Sequence, residues 1–99
     1  MIGYLTLATP AQIELEIKRS RFLAFLEPTR SELEAREFIG SVRTLHPRAR
    51  HHCTAFVIGP GHELQRSNDD GEPSGTAGTP MLEALVAAEL SDVTAVVAR

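Results

Sequence analysis

Three carboxylates gather in a short glycine-rich stretch of the chain, at Asp69, Asp70 and Glu72. Hard divalent cations prefer several oxygen ligands at short range, so this cluster could serve a metal-dependent hydrolase. The Asp-X-Asp-X-Asp-Gly order of a calcium-binding loop is absent, however. Turns that contain Asp-Gly and Glu-Pro also use their carboxylates to accept local backbone N–H groups. The sequence favours this structural alternative for the residues 69–72, including Gly71.

The same stretch continues as Gly75-Thr76-Ala77-Gly78 and leads into a helix start at Thr79-Pro80. A glycine-lined approach to a helix N-terminus suits an anion, because unpaired N–H groups and the helix dipole both favour negative charge. The Gly-Lys-Ser/Thr ending of nucleotide-hydrolysing loops is missing. The stretch therefore predicts either an anion site at Gly75, Thr76 and Gly78 or an ordinary helix cap that needs no ligand.

The run His51-His52-Cys53 suggests nucleophilic or metal chemistry. Alternate residues of a strand share a face, so His51 and Cys53 could act together, whereas His51 and His52 could not easily ligate one ion. Asp69 or Asp70 could orient such a pair. A free cysteine in an apolar strand is more often a small, inert hydrophobe. We therefore assign no catalytic residue and expect neither a metal nor a cofactor.

Basic residues are concentrated ahead of the acidic stretch. The 99-residue chain has a formal net charge of −3, yet no acid occurs from Phe38 to His62, a segment that contains Arg43, Arg48 and Arg50. A basic patch can therefore exist on an acidic protein, although small domains also segregate charge by chance. The negative total argues against strong non-specific binding to a duplex, which depends on many Lys and Arg contacts.

The strands that would position these residues are predicted from alternating or continuous apolar runs. The segment from Ile13 to Leu26 is predicted to be one strand with a bulge or bend near Ser20. Two further strands, both buried, are predicted at His52–Ile58 and Val93–Ala98.

Two helices complete the predicted elements. Ser31 and Glu34 form a capping box at the start of the first helix, which must end before Pro47. Its apolar face is predicted to contain Leu33, Phe38, Ile39, Val42 and Leu45. In the second helix, Thr79 is the predicted N-cap and Pro80 the first helical residue.

Composition limits the class of protein. The chain is 42% hydrophobic and 23% charged, as in an ordinary globular domain. No apolar run could span a bilayer and no signal peptide is evident. Cys53 is the single cysteine, so no disulfide within the chain is possible. A cytoplasmic protein without membrane association is expected.

Three segments, taken in order, resemble the IMPACT family, in particular its bacterial branch. They are Glu16-Ile17-Lys18-X-Ser20-Arg21-Phe22, His46-Pro47-X-Ala49-X-His51-X-Cys53-X-Ala55, and Asp69-Asp70-Gly71-Glu72-Pro73-X-Gly75-Thr76-Ala77-Gly78-X-Pro80. The resemblance implies an α+β fold class, with a two-layer α/β sandwich similar to the second domain of a ribosomal small-subunit protein and to domain IV of elongation factor G.

The resemblance also implies that more chain would follow. In the family, a glycine-rich stretch, another helix and usually a small second domain come after the strand at 93–99. We therefore expect residues 1–99 to form the family's N-terminal domain, incomplete at its C-terminal side. A missing helix would leave one face of the sheet partly uncovered, and an apolar surface of that kind predicts self-association.

The functional expectation is a non-enzymatic module related to the regulation of translation, with RNA, the ribosome or a protein as partner. In this hypothesis Arg21, Arg48, Arg50 and His51 contact phosphate, while the loop of residues 69–78 shapes the site. The first alternative is a metal-dependent hydrolase that uses Asp69, Asp70, Glu72 and His51. The second is a purely structural loop, an acidic clasp held against Ser20-Arg21 or the segment 48–51.

Overall fold

The computed structural model describes residues 10–17 and 20–99, with the side chains of residues 10–12 and 22–99. Five strands and two helices occur in this part of the chain. Their order is β1 (Ala11–Ile17), β2 (Ser20–Pro28), α1 (Glu32–Leu45), β3 (His52–Ile58), β4 (Leu64–Asn68), α2 (Gly78–Ala87) and β5 (Val93–Ala98). The strands form one antiparallel sheet in the order β1-β2-β5-β3-β4. No helix among them is long and apolar enough to cross a membrane.

The first predicted strand is in fact two strands. β1 and β2 pair antiparallel, with Ile17 opposite Ser20 and Ala11 opposite Leu26. The prediction of one strand with a bulge or bend was therefore wrong. An interruption of the period-two pattern fits a chain reversal as well as a bulge, and the reversal lets the two arms satisfy each other's backbone groups.

The fourth strand was not predicted. β4 lies at the edge of the sheet and pairs with β3, and its residues after Leu64 are exposed. An edge strand of this kind contributes little to the core, so it carries almost no apolar periodicity. Its importance is positional, because it ends at Asn68, directly before residues 69–72, here called the acidic loop.

The two helices pack on opposite faces of the sheet. β5 shows this alternation: Val93 and Ala95 pack with Leu85 of α2, whereas Val96 and Ala98 pack with Val42 of α1. The α+β class is thus confirmed. The resemblance implied a two-layer sandwich, and in the structure one helix packs on each face of the sheet.

Helix α1 begins as predicted but presents a narrower apolar face. The Ser31 hydroxyl accepts a hydrogen bond from the Glu34 N–H at 3.1 Å, while the Glu34 carboxylate accepts from the N–H of Arg30 rather than from that of Ser31. Leu33 and Leu45, both predicted to face the core, are 70% and 71% exposed. Each lies near one end of the helix.

Helix α2 begins at Gly78, where the backbone passes unusually close to the end of β4. A Cβ atom added to Gly78 would lie 2.7 Å from the backbone nitrogen of Asn68. The N-cap position is Ala77, which provides no side-chain cap, so the prediction of Thr79 as N-cap was wrong. The sequence rule identifies a capping residue only when it is adjacent to the helix, and here the cap comes from the acidic loop.

We expect Gly78→Ala to destabilise the fold by about 1–3 kcal/mol, because the new methyl group would collide with backbone that cannot easily move aside. Gly40→Ala is the matched control. Gly40 lies within α1, and a Cβ atom added there would meet nothing within 4 Å, so alanine should stabilise the fold by about 0.5–1 kcal/mol. Urea unfolding of the two variants measures both effects. Equal stability of Gly78→Ala and the wild type would contradict the close approach.

Candidate functional site

Asp69 holds the glycine-rich loop and the start of α2 together. One carboxylate oxygen accepts hydrogen bonds from the N–H groups of Ala77 and Gly78 at 3.1 and 2.7 Å, and the other accepts from Gly75 at 2.8 Å. The N–H groups of Gly75, Gly78 and Ala77 lower the pKa of this carboxyl. The helix N-terminus, considered above as an anion site, therefore holds an anion that belongs to the chain itself.

Asp70 connects the loop to the start of β3. Its carboxylate accepts a hydrogen bond from the N–H of His52 at 2.7 Å and lies 3.5 Å from the guanidinium of Arg43 on α1. Burial acts to raise the pKa of this carboxyl, but the His52 N–H and Arg43 outweigh it and the pKa is lowered. The residue adopts a positive φ of 49°, which places its carbonyl 2.6 Å from Nδ1 of His51. Because a carbonyl only accepts, Nδ1 of His51 carries the proton.

Glu72 closes the far end of the acidic loop. Its carboxylate lies 2.6 Å from the guanidinium of Arg99 and 3.8 Å from Nε2 of His51. The Arg99 guanidinium also stands 5.8 Å above the ring of Phe22. The loop is thus held against His51, Arg43 and Arg99. This geometry is of the kind expected for the acidic clasp. The clasp was expected to be held against Ser20-Arg21 or residues 48–51, and among the described contacts only His51 of these segments touches the loop.

The three carboxylates do not converge on a common point. Each is directed at a different set of protein donors, and among the described residues no group of three or more His, Cys, Asp or Glu is placed to hold a metal ion. A hydrolytic centre built from Asp69, Asp70 and Glu72 would require each carboxylate to leave its partners. The arrangement gives no support to the hydrolase alternative.

Cys53 is unsuited to nucleophilic chemistry. It is buried, and its thiol donates a hydrogen bond to the carbonyl of Asp69 at 3.3 Å. Burial raises the pKa of the thiol, and the nearby carboxylates, Glu72 first, raise it further. A thiolate is the reactive form of cysteine, so these surroundings keep the side chain inert near neutral pH.

The cationic residues of the acid-free segment fall into two groups. Arg43, like Arg99 at the end of β5, is paired with a carboxylate of the loop. Arg48 and Arg50, between α1 and β3, are exposed, and no carboxylate of the described side chains forms an ion pair with them. The side chain of Arg21 lies outside the described residues.

Sequence reasoning missed the pairing of Arg43 and Arg99 with the loop. Asp70 lies far along the chain from Arg43, and Glu72 equally far from Arg99, so no local spacing rule links them. The acidity of the loop and the excess of cations before it were visible, but which cations would be neutralised depends on the sheet order. That information lies in the pairing of β5 beside β3, which places Arg99 next to His51 through an N–H···O=C bond of 3.1 Å.

We expect Asp69→Asn to lower the melting temperature by several degrees at neutral pH. An amide has one oxygen where the carboxylate has two, and its NH₂ group would face a backbone N–H that also donates. Glu83→Gln is the matched control, because it removes the same charge from an exposed position of α2. Differential scanning calorimetry compares them, and equal melting temperatures for the two variants would contradict the capping role.

Asp69 and Asp70 make the stability of the fold depend on pH under acidic conditions. The folded-state pKa values of both carboxyls lie below the unfolded value of about 3.9. Their stabilisation is therefore complete above that value and is lost as pH falls through the folded pKa. We expect the wild type to lose stability below about pH 4. Asp69→Asn should show a shallower loss, and a parallel pH profile of the two proteins would show that Asp69 has an ordinary pKa.

Comparison with known proteins finds one family over most of the chain. The family model described as the Impact N-terminal domain matches residues 18–99. The chain is 47% identical over 97 residues to the IMPACT family member YvyE of Bacillus subtilis (strain 168), covering 98% of this chain and 45% of that protein. It is 46% identical over 101 residues to the IMPACT family member YigZ of Escherichia coli (strain K12), covering 100% of this chain and 50% of that protein.

A crystal structure of a hypothetical protein has the same fold, with a TM-score of 0.93 and 45% sequence identity over 97% of this chain and 48% of that one. The chain thus spans about half the length of the curated relatives it matches. Because the family model covers most of the chain and these relatives nearly all of it, the chain belongs to the IMPACT family.

Proposed function

We propose that this chain is a non-enzymatic, translation-related module that binds RNA through Arg48 and Arg50. Membership of the IMPACT family implies a translation-related regulatory family. The observation that carries the RNA proposal is a contrast among the guanidinium groups near the start of β3 and the end of β5, some of which are paired with a described carboxylate while others are not. Arg43 and Arg99 are engaged by the acidic loop, whereas Arg48 and Arg50 have no such partner among the described carboxylates.

The acidic loop has a supporting role in this proposal. By bonding the N–H of His52 and the ring of His51, Asp70 fixes the chain immediately after Arg50. The N–H of Arg50 is itself bonded to the carbonyl of Arg99 at 2.9 Å. The backbone at Arg50 and directly after it is therefore fixed by hydrogen bonds. This reduces the conformational entropy that is lost when the two arginines bind a phosphate chain.

A small number of phosphate contacts sets the expected strength and its salt dependence. With two cations on a chain of net charge −3, binding should be modest and strongly weakened by salt. For single strands, the logarithm of the affinity falls with the logarithm of salt concentration by roughly 0.7 for each phosphate contact. The loss of both arginines should therefore reduce the slope as well as the affinity.

Fluorescence anisotropy of a labelled single-stranded RNA, measured at low and at higher salt, tests the proposal. We expect Arg48→Ala/Arg50→Ala to abolish most of the salt-sensitive binding. The matched control is Arg30→Ala/Arg66→Ala, which removes the same charge from exposed positions elsewhere on the surface. Equal losses in the two double variants would reduce the effect to net charge, and no binding of the wild type at low salt would refute the proposal.

A further inference from the structure

A pocket opens on the α1 face of the sheet, beside the proposed phosphate contacts. Its volume is about 510 Å³, and Arg48 and Arg99 contribute to its lining together with six other residues: Leu23, Leu45, His46, Pro47, Ala49 and Ala98. Sites that enclose small organic molecules measure roughly 300–1,000 Å³. The pocket therefore has the size for a nucleobase and its sugar, and its walls are mainly apolar.

The wall formed by His46 is rigid. Its N–H bonds to the carbonyl of Val42 at 2.9 Å, and its carbonyl accepts from the ring of His52 at 2.9 Å. Its imidazole packs on Phe25 with the ring centroids 5.2 Å apart. The N–H of Ala49 bonds back to the same carbonyl at 3.2 Å. The pocket is thus preformed, and binding a ligand there need not order its wall.

Leu45 lines this pocket but contributes little to the core, because its side chain is 71% exposed. It lies in the last turn of α1, three residues before Arg48. An exposed leucine alone requires no explanation. An exposed leucine, a fixed imidazole and an arginine around one preformed pocket form a surface that is apolar and cationic at once.

We propose that this pocket accepts one unstacked base of a single-stranded RNA whose neighbouring phosphates contact Arg48 and Arg50. The inference rests on the proposed RNA binding and adds the part of the RNA that is recognised. A base offers a flat, largely apolar face that can lie against Leu45 and His46, directly beside its own anionic backbone. A base within a duplex is stacked and paired and cannot enter, so the pocket selects single strands.

An acidic peptide with an apolar side chain would also combine negative charge with an apolar group. The base is preferred because the imidazole of His46 provides a π surface, on which bases stack and which a leucine or valine side chain would not require. In addition, the guanidinium groups of Arg48 and Arg50 have the fork geometry that suits phosphate oxygens. A peptide is treated below as a competing outcome.

Two RNA probes of equal length and equal phosphate charge separate the pocket from the cations. One is an ordinary single strand, and the other has the same backbone without bases. We expect the ordinary strand to bind about ten-fold more tightly, which corresponds to the stacking of one base. A fully paired duplex of the same sequence should bind no better than the base-free strand.

Leu45→Ala tests the pocket directly, and Leu33→Ala is its control. Both leucines lie on α1 and are exposed to the same extent, 71% and 70%, but only Leu45 lines the pocket. We expect Leu45→Ala to weaken binding of the ordinary strand while leaving the base-free strand unaffected, and Leu33→Ala to change neither. Melting temperatures should stay close to that of the wild type, because both side chains are mostly outside the core.

The outcomes distinguish this inference from the function on which it rests. Equal affinity for the two probes, with binding still lost in Arg48→Ala/Arg50→Ala, would leave RNA binding intact and overturn the base pocket. Equal weakening of both probes by Leu45→Ala would overturn it as well. Binding of an acidic, leucine-containing peptide that depends on Leu45, with no RNA binding by the wild type, would overturn both.

Discussion

The carboxylate of Asp69 is the constraint on which the rest of the site depends. It follows directly after β4 and accepts the N–H groups of Gly75, Ala77 and Gly78, so one side chain fixes the loop and the first turn of α2. The Asp69 carbonyl, in addition, accepts from the N–H of Glu72 at 3.1 Å. Because both ends of the loop are held, the side chain of Asp70 is directed at the start of β3 and that of Glu72 at Arg99, directly after β5.

The acidic loop forms ion pairs with some of the nearby arginines and leaves others exposed. Asp70 and Glu72 are engaged with Arg43, His51 and Arg99, which leaves the pair between α1 and β3 exposed. Carboxylates that lie near a basic surface would ordinarily oppose the approach of an anion. Here each one already has a cationic neighbour or a set of N–H donors, so its charge is largely compensated within the chain.

The sequence predicted the parts of the fold that depend on local pattern. The strands at His52–Ile58 and Val93–Ala98 have their expected bounds, and Ser31 caps α1. The parts that depend on distant contacts were not predictable in this way. The cap of α2 comes from Asp69 rather than Thr79, and β4 carries almost no apolar pattern because it lies at an edge. Of the site, the residue types were evident, but their pairing was not.

The position of β5 has a consequence for how the chain can fold during its synthesis. β5 is the last of the described elements in sequence order, yet it lies in the middle of the sheet, between β2 and β3. The hairpins β1-β2 and β3-β4 can form from contacts between neighbours in sequence, but in the described sheet each pairs with β5 and not with the other hairpin. Until residues 93–98 have left the ribosome, the two hairpins remain separate ribbons with unpaired inner edges. β5 therefore joins them, and the cooperative core of this sheet forms only when synthesis has passed β5.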